Sequence, residues 1–264
     1  MNDSTTERTS KGTYEEDGYA IFRGVIDPGL VEEGRRHIEW LQRRHPDLRP
    51  EQLNTDLVTD DPFWVRLIGD GRLLDVAEQF IGPDIALFAS HYIAKPPRTG
   101  QAVLWHQDGS FWPLDPMRVV SLWVALDPAG PDNGCLRVLP GTQRWDLKEN
   151  RPRTDVQNVL NAEVDVDPSL IDETKAVDIV LAAGDVEVHH PNIVHGSHAN
   201  TSDRWRRGLT IRYIPTSTRI VTEGQWPSAF LLRGQAVPGV NSYLPRPRYR
   251  EGVDMPFAGS EAWA

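Results

Sequence analysis

After residue 85 the chain stops offering long helical stretches, and this most limits what it can fold into. Apolar segments run from Ile85 to Ala94, Ala102 to His106, Val119 to Leu126, Leu136 to Leu139, Val177 to Leu181, Val186 to His189, Ile193 to His195 and Leu209 to Ile214. Turn formers separate them: Pro96-Pro97, Gly130-Pro131-Asp132-Asn133-Gly134, Pro140-Gly141 and Ala183-Gly184-Asp185. A parallel, doubly wound sheet needs a crossover between strands, usually a helix. Many short, punctuated strands instead predict a mainly β fold, a sandwich or jelly roll.

The helices come first. Asp27-Pro28 opens one, with Asp27 as N-cap and Pro28 in the first turn. Leu30, Val31, Ile38 and Leu41 recur at helical spacing up to about Arg44, and Pro46 and Pro50 end the pattern. Two more helices are predicted, Pro62 to Ile68 and Gly71 to Phe80, and a short strand lies within Gly18 to Gly24. The reading is one domain over 1–264. Residues 1–13 are polar and disordered, 14–84 a mostly helical scaffold, 85–215 the barrel core and 216–264 a C-terminal extension. Trp145 to Asp178 is polar and aperiodic, a long insertion of the kind that is usually functional or mobile.

Charge narrows the partners. A net charge of −10 disfavours binding to a nucleic-acid backbone and to anionic membranes. No apolar run of about 18 residues is present to span a bilayer. Cys135 is the single cysteine, which forbids an internal disulfide and fits a reducing, cytoplasmic setting. The expected partner is a small molecule.

The chemistry centres on Leu104-Trp105-His106-Gln107-Asp108. In an extended strand residues i and i+2 share a face, so His106 and Asp108 are expected side by side. A third ligand is available in His190-Pro191-Asn192-Ile193-Val194-His195-Gly196-Ser197. Two histidines and a carboxylate with open positions form the facial triad of non-haem iron oxygenases. His189, His190 and His198 compete with His195 for the third place, although Pro191 ends the strand at His190.

His106-Gln107-Asp108, His195-Gly196-Ser197 and an arginine eleven residues beyond His195 resemble the phytanoyl-CoA dioxygenase (PhyH) family. The match extends to Lys95-Pro96-Pro97 and Gly184-Asp185-Val186, covering roughly residues 15–215 in the same order. The resemblance implies a double-stranded β-helix barrel that uses Fe(2+), 2-oxoglutarate and O2, with His106, Asp108 and His195 as ligands. The far carboxylate of 2-oxoglutarate needs a cation, for which arginine's planar fork is suited. Arg204, Arg206, Arg207 and Arg212 are candidates, and strand alternation puts Arg206, Gly208, Thr210 and Arg212 on one face. The family's spacing selects Arg206 without excluding Arg212. The resemblance further gives Ser197 a hydrogen bond to the same carboxylate and sets Trp123 and His91 beside the cosubstrate.

Gln101, Phe111, Trp112 and Trp226 are candidates for a pocket mouth, and Arg118 or Arg137 for meeting an acidic substrate. Related halogenases carry a small residue in place of the carboxylate, so Asp108 favours hydroxylation. That reaction requires no acid or base from the protein. Two other classes share the pattern: a zinc hydrolase on the same triad and a non-catalytic, cupin-like binding module.

Overall fold

The computed structural model describes residues 10–53, 57, 59–166 and 168–264. Helix α1 (Ser10–Asp17) precedes strand β1 (Tyr19–Phe22), and α2 (Pro28–Arg44), α3 (Pro62–Ile68) and α4 (Gly71–Ile81) complete the helical scaffold. Each of the last three starts on an aspartate. Asp27 accepts the N–H groups of Gly29 and Leu30, Asp61 that of Trp64 and Asp70 that of Arg72, which satisfies donors the helix itself leaves unpaired. Leu73, Leu74, Val76 and Ala77 form the buried stripe of α4.

The remaining strands are β2 (Ile85–Lys95), β3 (Val103–His106), β4 (Leu114–Asp115), β5 (Val120–Ala125), β6 (Arg137–Val138), β7 (Asn150–Pro152) and β8 (Ala162–Val164), followed by β9 (Val177–Asp178), β10 (Val186–His189), β11 (His195–Ser197), β12 (Arg206–Pro215), β13 (Arg219–Ile220) and β14 (Phe230–Arg233). They form a six-stranded sheet, β1-β10-β5-β12-β2-β14, and a four-stranded sheet, β3-β11-β6-β9. Every pairing is antiparallel, the arrangement of a double-stranded β-helix. The main core includes Leu30, Ile38, Leu67 and Leu74 from the helices with Tyr92, Leu122, Val188 and Ile211 from the six-stranded sheet. A smaller cluster, including Trp123, Ala125, Leu136, Val138 and Ile193, draws on both sheets. Among the described residues no helix is long and apolar enough to cross a membrane.

Four details differ from the sequence reading. The disordered segment expected over 1–13 is helical from Ser10, and Tyr14 of that helix packs on Phe80 at 4.6 Å; residues 1–9 lie outside the described residues. The strand expected over Ile193 to His195 instead begins at His195, because the Ile193 N–H closes a turn on His190 O. Strand β12 starts at Arg206, three residues before the expected Leu209, since its polar end pairs in register with Lys95, Ala94 and Ile93. Finally, β14 adds an edge strand from within the C-terminal extension. The insertion is partly ordered by the β7–β8 hairpin.

Candidate metal centre

His106 ends β3, His195 opens β11, and the two residues are partners in the antiparallel ladder. Their ring centroids lie 4.1 Å apart. The Nδ1 of His106 faces Leu104 O at 2.9 Å and that of His195 faces Ile193 O at 3.0 Å. A ring nitrogen opposite a carbonyl carries the proton and donates, which leaves Nε2 of both rings with a free lone pair. Burial, followed by His106 and His189 nearby, pushes the His195 imidazole well below its usual range, so this ring stays neutral.

Asp108 is not part of β3. It begins a 3-10 turn (Asp108–Phe111) instead of continuing the strand. The cause lies in Gln107, whose buried amide donates to Asn192 O at 2.7 Å and accepts the Lys148 N–H at 2.9 Å. The Gly109 N–H also bonds Pro191 O, at 2.9 Å. These bonds fold the chain back so that Asp108 Oδ1 lies 3.5 Å from His106 Nε2 and 3.9 Å from His195 Nε2. Two ligands each about 2.1 Å from one ion lie at most about 4.2 Å apart, so these spacings suit a shared ion. The triad is the one metal-capable cluster among the described residues, its ligand atoms within 4.8 Å of one another.

The other carboxylate oxygen faces away from the pair of rings. Asp108 Oδ2 accepts from Ser121 Oγ at 3.2 Å and Arg212 Nη2 at 3.3 Å, with His189 Nε2 at 3.6 Å. Burial would raise the Asp108 carboxyl, but Arg212 and the surrounding imidazoles outweigh it and hold the group well below the usual carboxylate range. His189 is itself backed by Glu187, at 2.8 Å, and both side chains are buried. Burial opposes the charge on His189, but Glu187 and Asp108 prevail and push it up to about 9.

A cavity of about 430 Å³ opens on the triad. At one end stands Arg206, only 2% exposed. Its Nη1 donates to Ile93 O at 3.3 Å, its Nε has no hydrogen-bond partner, and its guanidinium lies 5.1 Å from the centre of the Trp123 ring. Among the described residues no carboxylate pairs with it. Burial depresses the guanidinium to about 10, so it remains charged at neutral pH. The other arginine candidates are spoken for. Arg204 pairs with Asp132, Arg207 with Asp127 and Glu39, and Arg212 with Asp108.

Around Arg206 the strand faces agree with the sequence. Gly208 lies under Trp123, where a Cβ would come within 2.2 Å of the indole, so the glycine makes room for that ring. Lys95 Nζ donates to Ser197 Oγ at 2.7 Å, which leaves the serine O–H proton free to donate elsewhere. His91 lines the cavity but holds Arg212 Nη1 at 2.9 Å; burial and that cation push its imidazole down to about 3.

Phe111, Trp112 and Trp226 also line the cavity, and Trp112 lies beside Arg212, six residues along β12 from Arg206, away from the arginine corner. Gln101 does not: it lies on a loop where its N–H bonds Glu51 Oε1 at 2.9 Å. Arg118 and Arg137 are not in the lining either, since Arg118 caps Ile81 O and Arg137 bridges Glu173 and Asp178. His190 accepts from the Asn192 N–H, and His198 contacts Arg137. Sequence reasoning assigned no role to Lys95, Ser121, Glu187, Phe88 or Leu160. Strand alternation, which puts His91, Ile93 and Lys95 on one face, is a signal that could have found the first, whereas Leu160 belongs to the aperiodic insertion and carries none.

Fold and site together define a double-stranded β-helix protein that sets a two-histidine, one-aspartate ligand group beside a buried, unpaired arginine. Residues 14–208 match the family model of phytanoyl-CoA dioxygenase (PhyH), and the chain belongs to that family, one of Fe(II)- and 2-oxoglutarate-dependent oxygenases. It is similar to the peroxisomal phytanoyl-CoA dioxygenase of Rattus norvegicus, 26% identical over 227 residues that cover 76% of this chain and 66% of that protein. The chain therefore spans just under two thirds of that relative's length. Among solved structures it is similar to a non-heme monooxygenase, ThoJ, in its apo form (TM-score 0.74, 24% identity, 89% of this chain and 87% of that one). It is also similar to SnoN, a non-heme alpha ketoglutarate dependent epimerase from nogalamycin biosynthesis (TM-score 0.66, 21% identity, 90% and 95%). These two likenesses establish a shared fold.

Proposed function

We propose that this chain is an Fe(II)- and 2-oxoglutarate-dependent dioxygenase that hydroxylates an unactivated C–H bond of a small molecule, with succinate and CO2 as coproducts. The observation that carries this reading is Arg206, a buried cation without an acid partner, in the same cavity as the His106, Asp108 and His195 ligand set. A buried charge without a partner costs several kcal/mol, so the corner is built for an anion.

Iron bound with 2-oxoglutarate and O2 supplies the oxidising power and the transferred oxygen atom. The chain's own share is ligation, orientation and exclusion of water. His106, Asp108 and His195 hold the metal through Nε2, Oδ1 and Nε2. Arg206 takes the far carboxylate of the cosubstrate, Ser197 donates its free proton to the same group, and Trp123 covers the guanidinium. His91 steadies Arg212, which in turn holds Asp108 Oδ2. No side chain needs to move a proton on the substrate, and none is assigned that task.

The test is succinate formation that depends on Fe(II), 2-oxoglutarate and a substrate found by screening a small-molecule library for stimulated CO2 release. Asp108→Ala and Arg206→Ala are each expected to abolish it. Normal turnover by both variants defeats the reading. Bound zinc with indifference to 2-oxoglutarate identifies a hydrolase, and 2-oxoglutarate-independent ligand binding without any turnover identifies a binding module.

A further inference from the structure

The half of the cavity remote from Arg206 is walled by aromatic rings. Phe88 stacks on Trp226 at 5.1 Å and 18°, and meets Trp112 edge-on at 5.7 Å. The Trp226 Nε1–H already donates to Phe88 O at 2.8 Å, so its remaining contribution to the lining is apolar ring surface. Leu114, Val119 and Ile214 pack in the same cluster and hold this wall in place. At the mouth stands Phe111, 45% exposed, with its ring 6.3 Å from that of His106.

Charges on this side are already matched. Among the described lining residues the cations are Arg206, Arg212 and His189, the last backed by the buried Glu187, and the one carboxylate is Asp108. Arg212 is committed to Asp108, to Thr210 Oγ1 at 2.6 Å and to His91, with its guanidinium 5.5 Å from the Trp112 ring centre. A substrate ammonium entering here meets no free acid. A coenzyme A thioester brings several phosphate charges to a lining whose one unpaired arginine lies at the far end. Leaving such charges unpartnered is unfavourable, and a flexible acyl chain also loses rotamer freedom on binding, which a rigid ring does not. Aromatic side chains favour offset stacked or edge-on contact with another ring.

Building on the oxygenase reading above, we propose that the substrate is an uncharged, flat ring compound. It binds by stacking on Trp112 and Trp226, which the buried Phe88 backs, so that its reacting carbon faces the triad past Phe111.

The experiment uses the full chain loaded with Ni(II) in place of iron, with and without 2-oxoglutarate. Anthraquinone (a neutral tricycle), palmitoyl-CoA and L-phenylalanine are titrated separately, read by tryptophan fluorescence and calorimetry. Anthraquinone is expected to bind at least about tenfold tighter than the other two, and Trp226→Ala to weaken it about tenfold while leaving 2-oxoglutarate affinity unchanged. Trp226→Leu, which keeps an apolar filler, serves as the second variant should the alanine form not fold, with the same expected loss. Tighter binding of palmitoyl-CoA or L-phenylalanine, or anthraquinone affinity indifferent to both Trp226 variants, overturns the proposal. Failure of 2-oxoglutarate to bind counts against the oxygenase reading, and the titrations made without it still decide the ring-compound proposal.

Discussion

Lys95 and Arg206 stand opposite each other on neighbouring strands, β2 and β12, two buried basic side chains in register, neither ion-paired to a carboxylate among the described residues. Burial and then the Arg206 charge drive the lysine's affinity for a proton well below its usual value. Lys95 answers by donating to Ser197 Oγ and His198 O, whereas Arg206 keeps an Nε without a partner. The corner is thus short of one anion, and the proposed function assigns the far carboxylate of the cosubstrate to it.

Arg206→Ala is expected to weaken 2-oxoglutarate binding by at least about 30-fold, equivalent to roughly 2 kcal/mol for breaking a buried charge pair. Arg206→Lys recovers only part, because an ammonium lacks the two-pronged geometry. Isothermal titration with Ni(II)-loaded protein measures both. Equal affinity in wild type and the alanine variant refutes the assignment.

Gly208→Ala is expected to push Trp123 off its place above Arg206, since the new methyl carbon falls 2.2 Å from the indole. Such overpacking costs about 1–3 kcal/mol. Denaturant unfolding should report the loss of stability, and cosubstrate titration should show weakened binding in the same variant. If stability falls but cosubstrate affinity does not, Trp123 has no part in the binding corner.

Ser121→Ala removes a donor to Asp108 Oδ2 while leaving the three proposed ligands themselves unchanged. Groups that orient a ligand in this way are worth about 10–100-fold in metal affinity. Co(II) titration followed by visible absorption is expected to give a dissociation constant raised about tenfold, with one ion still bound per chain. An unchanged constant shows that the serine merely fills space.

His190 offers a stability test against pH. Burial, reinforced by neighbouring His189, pushes its imidazole down to about 4, and its neutral Nδ1 accepts from the Asn192 N–H at 3.1 Å. The unfolded chain takes up this proton at about 6.5. Between those values the unfolded state binds more protons, so the contribution is full above about pH 6.5 and is lost as pH falls toward about 4. Thermal unfolding of wild type should show Tm declining through that window. His190→Asn is expected to show a shallower decline, and the same slope in both proteins argues against the buried neutral ring.

Where the sequence spoke through periodicity or capping, it was reliable. The aspartate before Pro28 and the stripe Leu73, Leu74, Ala77 located helices because side-chain chemistry there is local. His106 and His195 were legible as candidate ligands, but their pairing across β3 and β11 depends on distant ladders. Asp108 reached the expected place by a route that strand alternation does not describe, because Gln107 and Gly109 bond the loop around Pro191 and Asn192. Which arginine is left without an acid depends on tertiary neighbours, and no local rule reveals that Arg204 meets Asp132 or that Arg212 meets Asp108. Gln101 was misplaced for a similar reason, as its loop is fastened to Glu51.

Leu160 reaches the cavity from the insertion between β7 and β8, a segment belonging to neither sheet of the barrel. The ligand triad and the arginine corner come from the barrel strands and the turn after β3. Changing that hairpin is therefore expected to alter the cavity wall at Leu160 while His106, Asp108, His195 and Arg206, carried by other segments, keep their places.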